Sequence, residues 1–209
     1  MQNLHEKYVE KKHSIEQRLQ EFREVFSRDD NEIFAELAFC ICTPQSRARN
    51  AWNAVEKMKA NGILYNGSAE GMLKWMAGVR FNNNKSRHIY EVREKLKENS
   101  KIRIKDKINA SDILATREWL VQNIKGYGYK EASHFLRNIG FGENIAILDR
   151  HILKHLVDHG VINEVPKSIT PKMYKEIEQK LIGFSKQVNI PPAHLDLLWW
   201  SEEAGEIFK

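Results

Sequence analysis

The stretch Ile124-Lys125-Gly126-Tyr127-Gly128-Tyr129-Lys130-Glu131-Ala132 joins two segments of helical periodicity and decides how they meet. Two glycines one residue apart let the chain reverse within a few residues and bring backbone N–H groups close to a phosphate. A helix expected over 129–139 adds the positive end of its dipole at the same place. Ile124 and Ala132 supply apolar packing between the two helices. Such a hairpin grips a nucleic-acid backbone without reading its sequence. A plain turn between helices, with Gly126 as a C-cap, uses the same glycines, so the glycines alone do not choose between the two.

Working outward, the pattern is helical almost throughout. Ile15, Leu19, Phe22 and Phe26 recur at three- and four-residue steps, which predicts a long amphipathic N-terminal helix. Residues 32–41 are apolar on nearly all sides, as a central buried helix would be, and Thr43-Pro44 interrupts them. Ala48, Ala51, Trp52, Val55 and Met58 form the stripe of a further helix from about Ser46, ending at Asn61-Gly62. Ser68 is placed to cap a short helix containing Met72, Trp75 and Met76. Asn84 opens another through Ile89, Val92 and Leu96, and Ser111 a third through Leu114 and Leu120. The Ile–basic alternation of 101–107 fits a short strand but reads better as a linker. Residues 146–157 suggest a buried helix after a turn. Thr170-Pro171 reads as an N-cap with proline at the first helical position, and Pro191-Pro192 opens a last helix through Leu195, Leu198 and Trp199. The fold class is all-α, about ten helices without a convincing sheet.

At 209 residues, 42% hydrophobic and 29% charged, the chain has ordinary globular composition and can bury a real core. A net charge of +5 leans toward a polyanionic partner. Cys40 and Cys42 are its two cysteines, too few for a four-cysteine zinc or iron–sulfur site within one chain, and their apolar neighbours predict inert buried thiols. The charged start MQNLHEKYVEKKHS lacks the apolar core of a signal peptide, and no stretch approaches membrane-spanning length. An intracellular, cytoplasmic location is therefore expected, nucleoid-associated in a prokaryote.

Asp149 lies nineteen residues after Lys130, in Ile147-Leu148-Asp149-Arg150-His151-Ile152. Read alone it fits a helix N-cap. It also fits a carboxylate facing back toward Lys130 across a cleft. The hairpin, the lysine that follows it and this aspartate together resemble the helix-hairpin-helix DNA glycosylase superfamily, with its Gly/Pro-rich loop and Asp. Cys42-Thr43-Pro44-Gln45-Ser46-Arg47-Ala48 is similar to the superfamily segment after the first core helix, whose glutamine lies near DNA. Phe81-Asn82-Asn83-Asn84-Lys85-Ser86-Arg87 is similar to its asparagine–lysine segment. Lys125 stands where proline is frequent, a departure that lowers rigidity and leaves the chemistry intact. The short length, the lack of a cysteine cluster and the ending Trp199-Trp200-Ser201-Glu202-Glu203-Ala204-Gly205-Glu206-Ile207-Phe208-Lys209 most resemble the archaeal-type 8-oxoguanine DNA glycosylase/AP lyase class.

The resemblance implies a division of labour. Lys130 would be the nucleophile that forms a Schiff base before β-elimination, and Asp149 the second catalytic group. Lys209 and Trp200 would recognise the base, with the Lys209 α-carboxylate or a backbone carbonyl accepting from N7–H. Gln45, Lys125, Gly126 and Gly128 would bind the DNA backbone. His134 and His151 are expected as helix-packing or helix-surface residues. No metal or other cofactor is implied. The implied partner is double-stranded DNA containing 8-oxoguanine, met by a monomer away from any membrane. Residues 30–142 would form one helical lobe, and 1–29 with 143–209 the other, flanking a basic cleft. Two alternatives stay open on the sequence: a glycosylase of the same fold acting on another damaged base, and a non-catalytic hairpin module that only clamps phosphates.

Overall fold

A computed structural model describes residues 2–209, Gln2 by its backbone alone. Its helices are α1 (Gln2–Ser27), α2 (Asp30–Cys42), α3 (Ala48–Ala60), α4 (Ile63–Asn66), α5 (Ala69–Leu73), α6 (Asn82–Leu96), α7 (Ile113–Asn123), α8 (Tyr129–Asn138), α9 (Arg150–Asp158), α10 (Pro171–Gln187) and α11 (Pro192–Ala204). The strands found among the described residues are β1 (Lys97–Glu98) and β2 (Lys101–Ile102). The mostly helical fold expected from periodicity is the one observed.

Caps set most of the helix starts. Ser68 accepts from the Gly71 amide at 3.1 Å, and Thr170 accepts from Met173 with Pro171 in the first turn, both as anticipated. For α7 the cap is Asp112, which accepts from Ala115 at 2.9 Å, while Ser111 turns back to Asn109. The single-turn helix α4 was not anticipated from the pattern.

Two further departures have clear causes. The stretch from Lys101, read as a linker, begins as β2, which pairs antiparallel with β1 in the register Lys97↔Ile102. Asn99 and Ser100 between them both take left-handed backbone, φ 49° and 63°, as a tight two-residue hairpin turn requires. Neither is glycine, so the turn left little trace in the sequence. Helix α9 begins at Arg150 rather than Ala146. The segment before it stays extended because α10 answers its polar backbone. Glu178 Oε1 accepts from the Ala146 amide at 2.8 Å, and the Tyr174 hydroxyl both donates to the Ala146 carbonyl and accepts from the Leu148 amide. Those side chains replace the bonds a helix would have made.

The chain divides into two compact units, Val25–Phe135 and the remainder, so that α1 and α8 each contribute to both. In the Val25–Phe135 unit α2 is the axis. Ile33, Phe34, Leu37, Ala38, Phe39, Cys40 and Cys42 are all fully or nearly fully buried. Helices α3 and α6 pack against it, with Val55, Met58 and Ile89 buried, and Leu64, Met72 and Leu120 are buried elsewhere in the same unit. Each large side chain so buried stabilises the unit by roughly 1.5–3 kcal/mol.

In the other unit Trp199 of α11 is fully buried and stacks on His155 at 5.2 Å and 3°, on His159 at 5.6 Å, and on Phe184 of α10. Burial pushes both histidines below their ordinary pKa. Ile15, Leu19 and Phe22 of α1 are buried in the same unit, with the Arg137 guanidinium 4.9 Å from the Phe22 ring.

Candidate active site

The hairpin is built from the core outward. Ile124 caps α7, and the Tyr127 amide donates to its carbonyl at 3.1 Å, closing the turn. Gly126 has φ +87°, a conformation that L side chains avoid, and a Cβ there would lie 2.7 Å from His88 Nδ1. Glycine is thus required at 126 on two counts. Gly128 has ordinary backbone; its place is explained by proximity, since a Cβ would sit 3.3 Å from Glu131 Oε2. Its amide already donates to that oxygen at 3.1 Å, so Glu131 closes the first turn of α8 from within.

Tyr127 anchors the hairpin. Its ring is buried and its hydroxyl donates to the Leu37 carbonyl of α2 at 2.9 Å. Burial, with Cys40 and Glu131 nearby, holds that phenol well above its usual pKa, so it stays a donor. The start of α8 is pinned as firmly. Tyr129 donates to Glu118 of α7 at 2.6 Å, and Arg117 reaches Ser133 Oγ at 3.2 Å while lying over the Tyr129 ring.

Lys130 therefore sits in the first turn of α8, on a backbone held from two sides. Its side chain is 25% exposed, with Nζ 3.7 Å from Glu131 Oε1. A half-buried amine at a helix N-terminus has the reach and access that nucleophilic attack needs. Lys125 is exposed, its Nζ 3.3 Å from Glu91, which leaves the ammonium open to solvent.

A second corner of the same unit carries the 42–46 segment. Gln45 is exposed and has φ 56°, left-handed backbone in a residue with a Cβ. The buried Lys85 of α6 donates to the carbonyls of Cys42 and Pro44, at 2.8 and 2.6 Å, and to Ser46 Oγ at 3.2 Å. Burial lowers its pKa, and the charge of Lys130 lowers it further. Phe81, ahead of α6, is another exposed residue with left-handed backbone, φ 58°. Cys40 and Cys42 are fully buried thiols, and burial pushes the Cys42 thiol up to about 12, which suits inert packing rather than catalysis.

In the other unit Asp149 caps α9, its Oδ1 accepting from the His151 and Ile152 amides at 2.9 Å each. Both amides use one oxygen of the carboxylate. His151 pairs with Glu203 at 3.2 Å, and His134, in the Val25–Phe135 unit, packs edge-on against Phe39.

The chain is similar to known proteins over nearly its whole length. A family profile described as 8-oxoguanine DNA glycosylase, in its helix-hairpin-helix form, matches residues 15–190. The chain belongs to the 8-oxoguanine DNA glycosylase family. An 8-oxoguanine DNA glycosylase/AP lyase of Fusobacterium nucleatum is 51% identical over 204 residues, covering 97% of this chain and 94% of that protein. The crystal structure of the Methanocaldococcus jannaschii 8-oxoguanine DNA glycosylase superposes with a TM-score of 0.87 at 34% identity, covering 100% of this chain and 95% of its own. The glycosylase/lyase of that organism has also been solved with a 15mer DNA containing 8-oxoguanine; it matches with a TM-score of 0.85 and full coverage of both chains. The archaeal-type class suggested by the sequence is thereby the class found.

Within this glycosylase family the ending of the chain becomes informative. Trp199 is core, as its place on the apolar face of the last helix predicts. Trp200 is half-buried in the last turns of α11. Gly205 ends that helix in left-handed backbone, and Phe208 returns to a buried position, holding the half-buried Lys209 beside it. No group of three or more His, Cys, Asp or Glu among the described residues could hold a metal ion. No helix among them is long and apolar enough to cross a membrane. Sequence reasoning quoted Ser46, Tyr127, Glu131 and Lys85 only inside motifs and missed them as supports, because they act through hydrogen bonds that leave no periodic signal.

Proposed function

We propose that this chain excises 8-oxoguanine from double-stranded DNA and then cleaves the strand at the abasic sugar, with Lys130 as nucleophile. The observation that carries the reading is Lys130 itself: a half-buried amine in the first turn of the helix that leaves the hairpin, in a chain of this family. The damaged nucleotide must leave the stack before its C1′ can be reached. The neutral Lys130 amine then attacks C1′, the C1′–N9 bond breaks, and the base departs with the bonding electron pair and takes up a proton. Loss of the amine proton and opening of the sugar give a Schiff base. Removal of a C2′ proton then expels the 3′ phosphate, and water releases the lysine.

Asp149 supplies the second charge. Two amides hold one of its oxygens, which leaves the other to face cationic character at the sugar or to move a proton. Gln45, Lys125, Gly126 and Gly128 are assigned to the DNA backbone. The Gly128 amide is already engaged by Glu131, so phosphate contact there calls for a shared donor or a shift of that carboxylate.

Trp200 and Lys209 are assigned to the base. 8-Oxoguanine carries a hydrogen on N7 that guanine lacks, and an oxygen at Lys209 is the proposed acceptor. Deleting Lys209 should reduce preference for 8-oxoguanine over guanine more than it slows cleavage at a preformed abasic site; equal losses would contradict that assignment. The chain is proposed to act as a monomer in the cytoplasm. Base release across a panel of oxidised and alkylated duplexes tests the whole reading. 8-Oxoguanine should be released fastest, and faster release of an alkylated base would contradict it.

A further inference from the structure

Lys85 is an anomaly in energetic terms. It is 6% exposed, yet its three N–H donors go to uncharged acceptors: two carbonyls and a hydroxyl. Burying an ammonium against neutral dipoles is costly, and an apolar side chain of similar volume would ordinarily hold two elements together as well. The ammonium does something an apolar chain cannot. It gathers the carbonyl of Cys42, ahead of the turn, and that of Pro44, within it, together with the Ser46 hydroxyl. Ser46 Oγ also accepts from the Arg80 amide at 3.0 Å, which ties the same knot to the segment leading into α6. At the tip of this knot stands Gln45, exposed, with its backbone in the left-handed region. Strained backbone persists only where the surroundings over-determine it. Here one buried cation binds residues 42, 44 and 46 around Gln45, and the Arg80 amide holds Ser46 as well.

We infer that Lys85 is a positioning residue for the glycosylase reaction: its ammonium locks the 42–46 segment so that Gln45 is presented outward to DNA. The inference rests on the function proposed above. An extruded base leaves a gap in the duplex, and a preset loop lowers the cost of holding DNA in that state. Lys85 touches neither substrate nor reacting atoms in this scheme. Its positioning effect passes through Gln45, whereas its charge also reaches Lys130; Ser46→Ala, which keeps that charge, separates the two.

That dependence gives the test. Base release from an 8-oxoguanine:cytosine duplex is measured under single-turnover conditions for wild type, Lys85→Met, Gln45→Ala and the double variant, with melting temperatures alongside. Lys85→Met should slow base release about tenfold or more, as loss of charge-assisted hydrogen bonds permits. In the Gln45→Ala background the same change should cost no more than about twofold, the non-additivity of residues acting through one another. Losses that multiply would overturn the inference and leave Lys85 a structural residue. Should Lys85→Met not fold, Ser46→Ala decides. It removes one acceptor and keeps the other two, and its smaller loss should likewise vanish without Gln45; a loss that persists overturns the inference. A wild type that releases no 8-oxoguanine contradicts the glycosylase reading instead. The same cycle on affinity for a duplex bearing a tetrahydrofuran abasic analogue then settles the positioning role, again by whether the losses multiply.

Discussion

At the scale of the residue, Asp149 is a carboxylate that caps a helix and is proposed to act in the reaction as well. The sequence allowed either an N-cap or a reaction partner, and the structure makes it a cap, bonded to two amides. The two roles come apart by substitution, because asparagine caps about as well as aspartate but carries no charge. Asp149→Asn should keep the melting temperature near wild type while base release falls about 10²–10⁴-fold. Asp149→Ala should show the same loss of activity plus about 1 kcal/mol of stability. Full base release by Asp149→Asn would remove Asp149 from the mechanism. The roles proposed for Lys130 and Asp149 come from a motif with fixed spacing, which the sequence displays directly. Lys85 was quoted within a motif but its work was not legible, since it depends on carbonyls forty residues away in the chain that no side-chain pattern reports.

At the scale of the element, the hairpin owes its shape to Gly126 more than to Gly128. Only Gly126 has positive φ, and only there would a side chain collide with a ring, that of His88. Gly126→Ala should therefore destabilise by about 1–3 kcal/mol and weaken duplex binding, measured by denaturant unfolding and titration. Gly128→Ala should have the milder effect on both, and the reverse order would show that the hairpin is misdescribed. The pattern located α1, α3, α5, α6, α7, α8, α10 and α11, and it marked α2 by apolar residues on nearly all sides. It failed before α9, where apolar residues 146–148 continue the pattern without being helical. Their backbone is claimed by Glu178 and Tyr174 from α10, a tertiary demand invisible in a local window. The β1–β2 turn escaped for a related reason, as Asn99 and Ser100 take left-handed backbone without glycine.

At the scale of the whole molecule, titration of half-buried histidines should set the acid limit of stability. His88, His155, His159 and His194 all have pKa values lowered, in each case chiefly by burial. Unfolding restores their ordinary value near 6.5, so below about pH 6.5 the unfolded chain binds more protons than the fold does. The stability they confer is full above that pH and is lost as pH falls toward their folded values. Melting temperature should therefore drop between about pH 7 and pH 5. His155→Phe, which keeps the stack on Trp199 and removes one titrating group, should flatten that slope; an unchanged slope would exclude His155 from it. The basic charge of +5 and the fold class were readable from composition and pattern, whereas these histidines are not distinguishable from surface ones without their neighbours.

The central claim is that Lys130 forms a covalent bond to the damaged sugar. Borohydride reduction during reaction with an 8-oxoguanine:cytosine duplex tests it most directly, because reduction converts the Schiff base into a stable protein–DNA adduct. Wild type should give the adduct, and Lys130→Gln should give none while still binding the duplex. An adduct with Lys130→Gln, or none with an active wild type, would contradict the account.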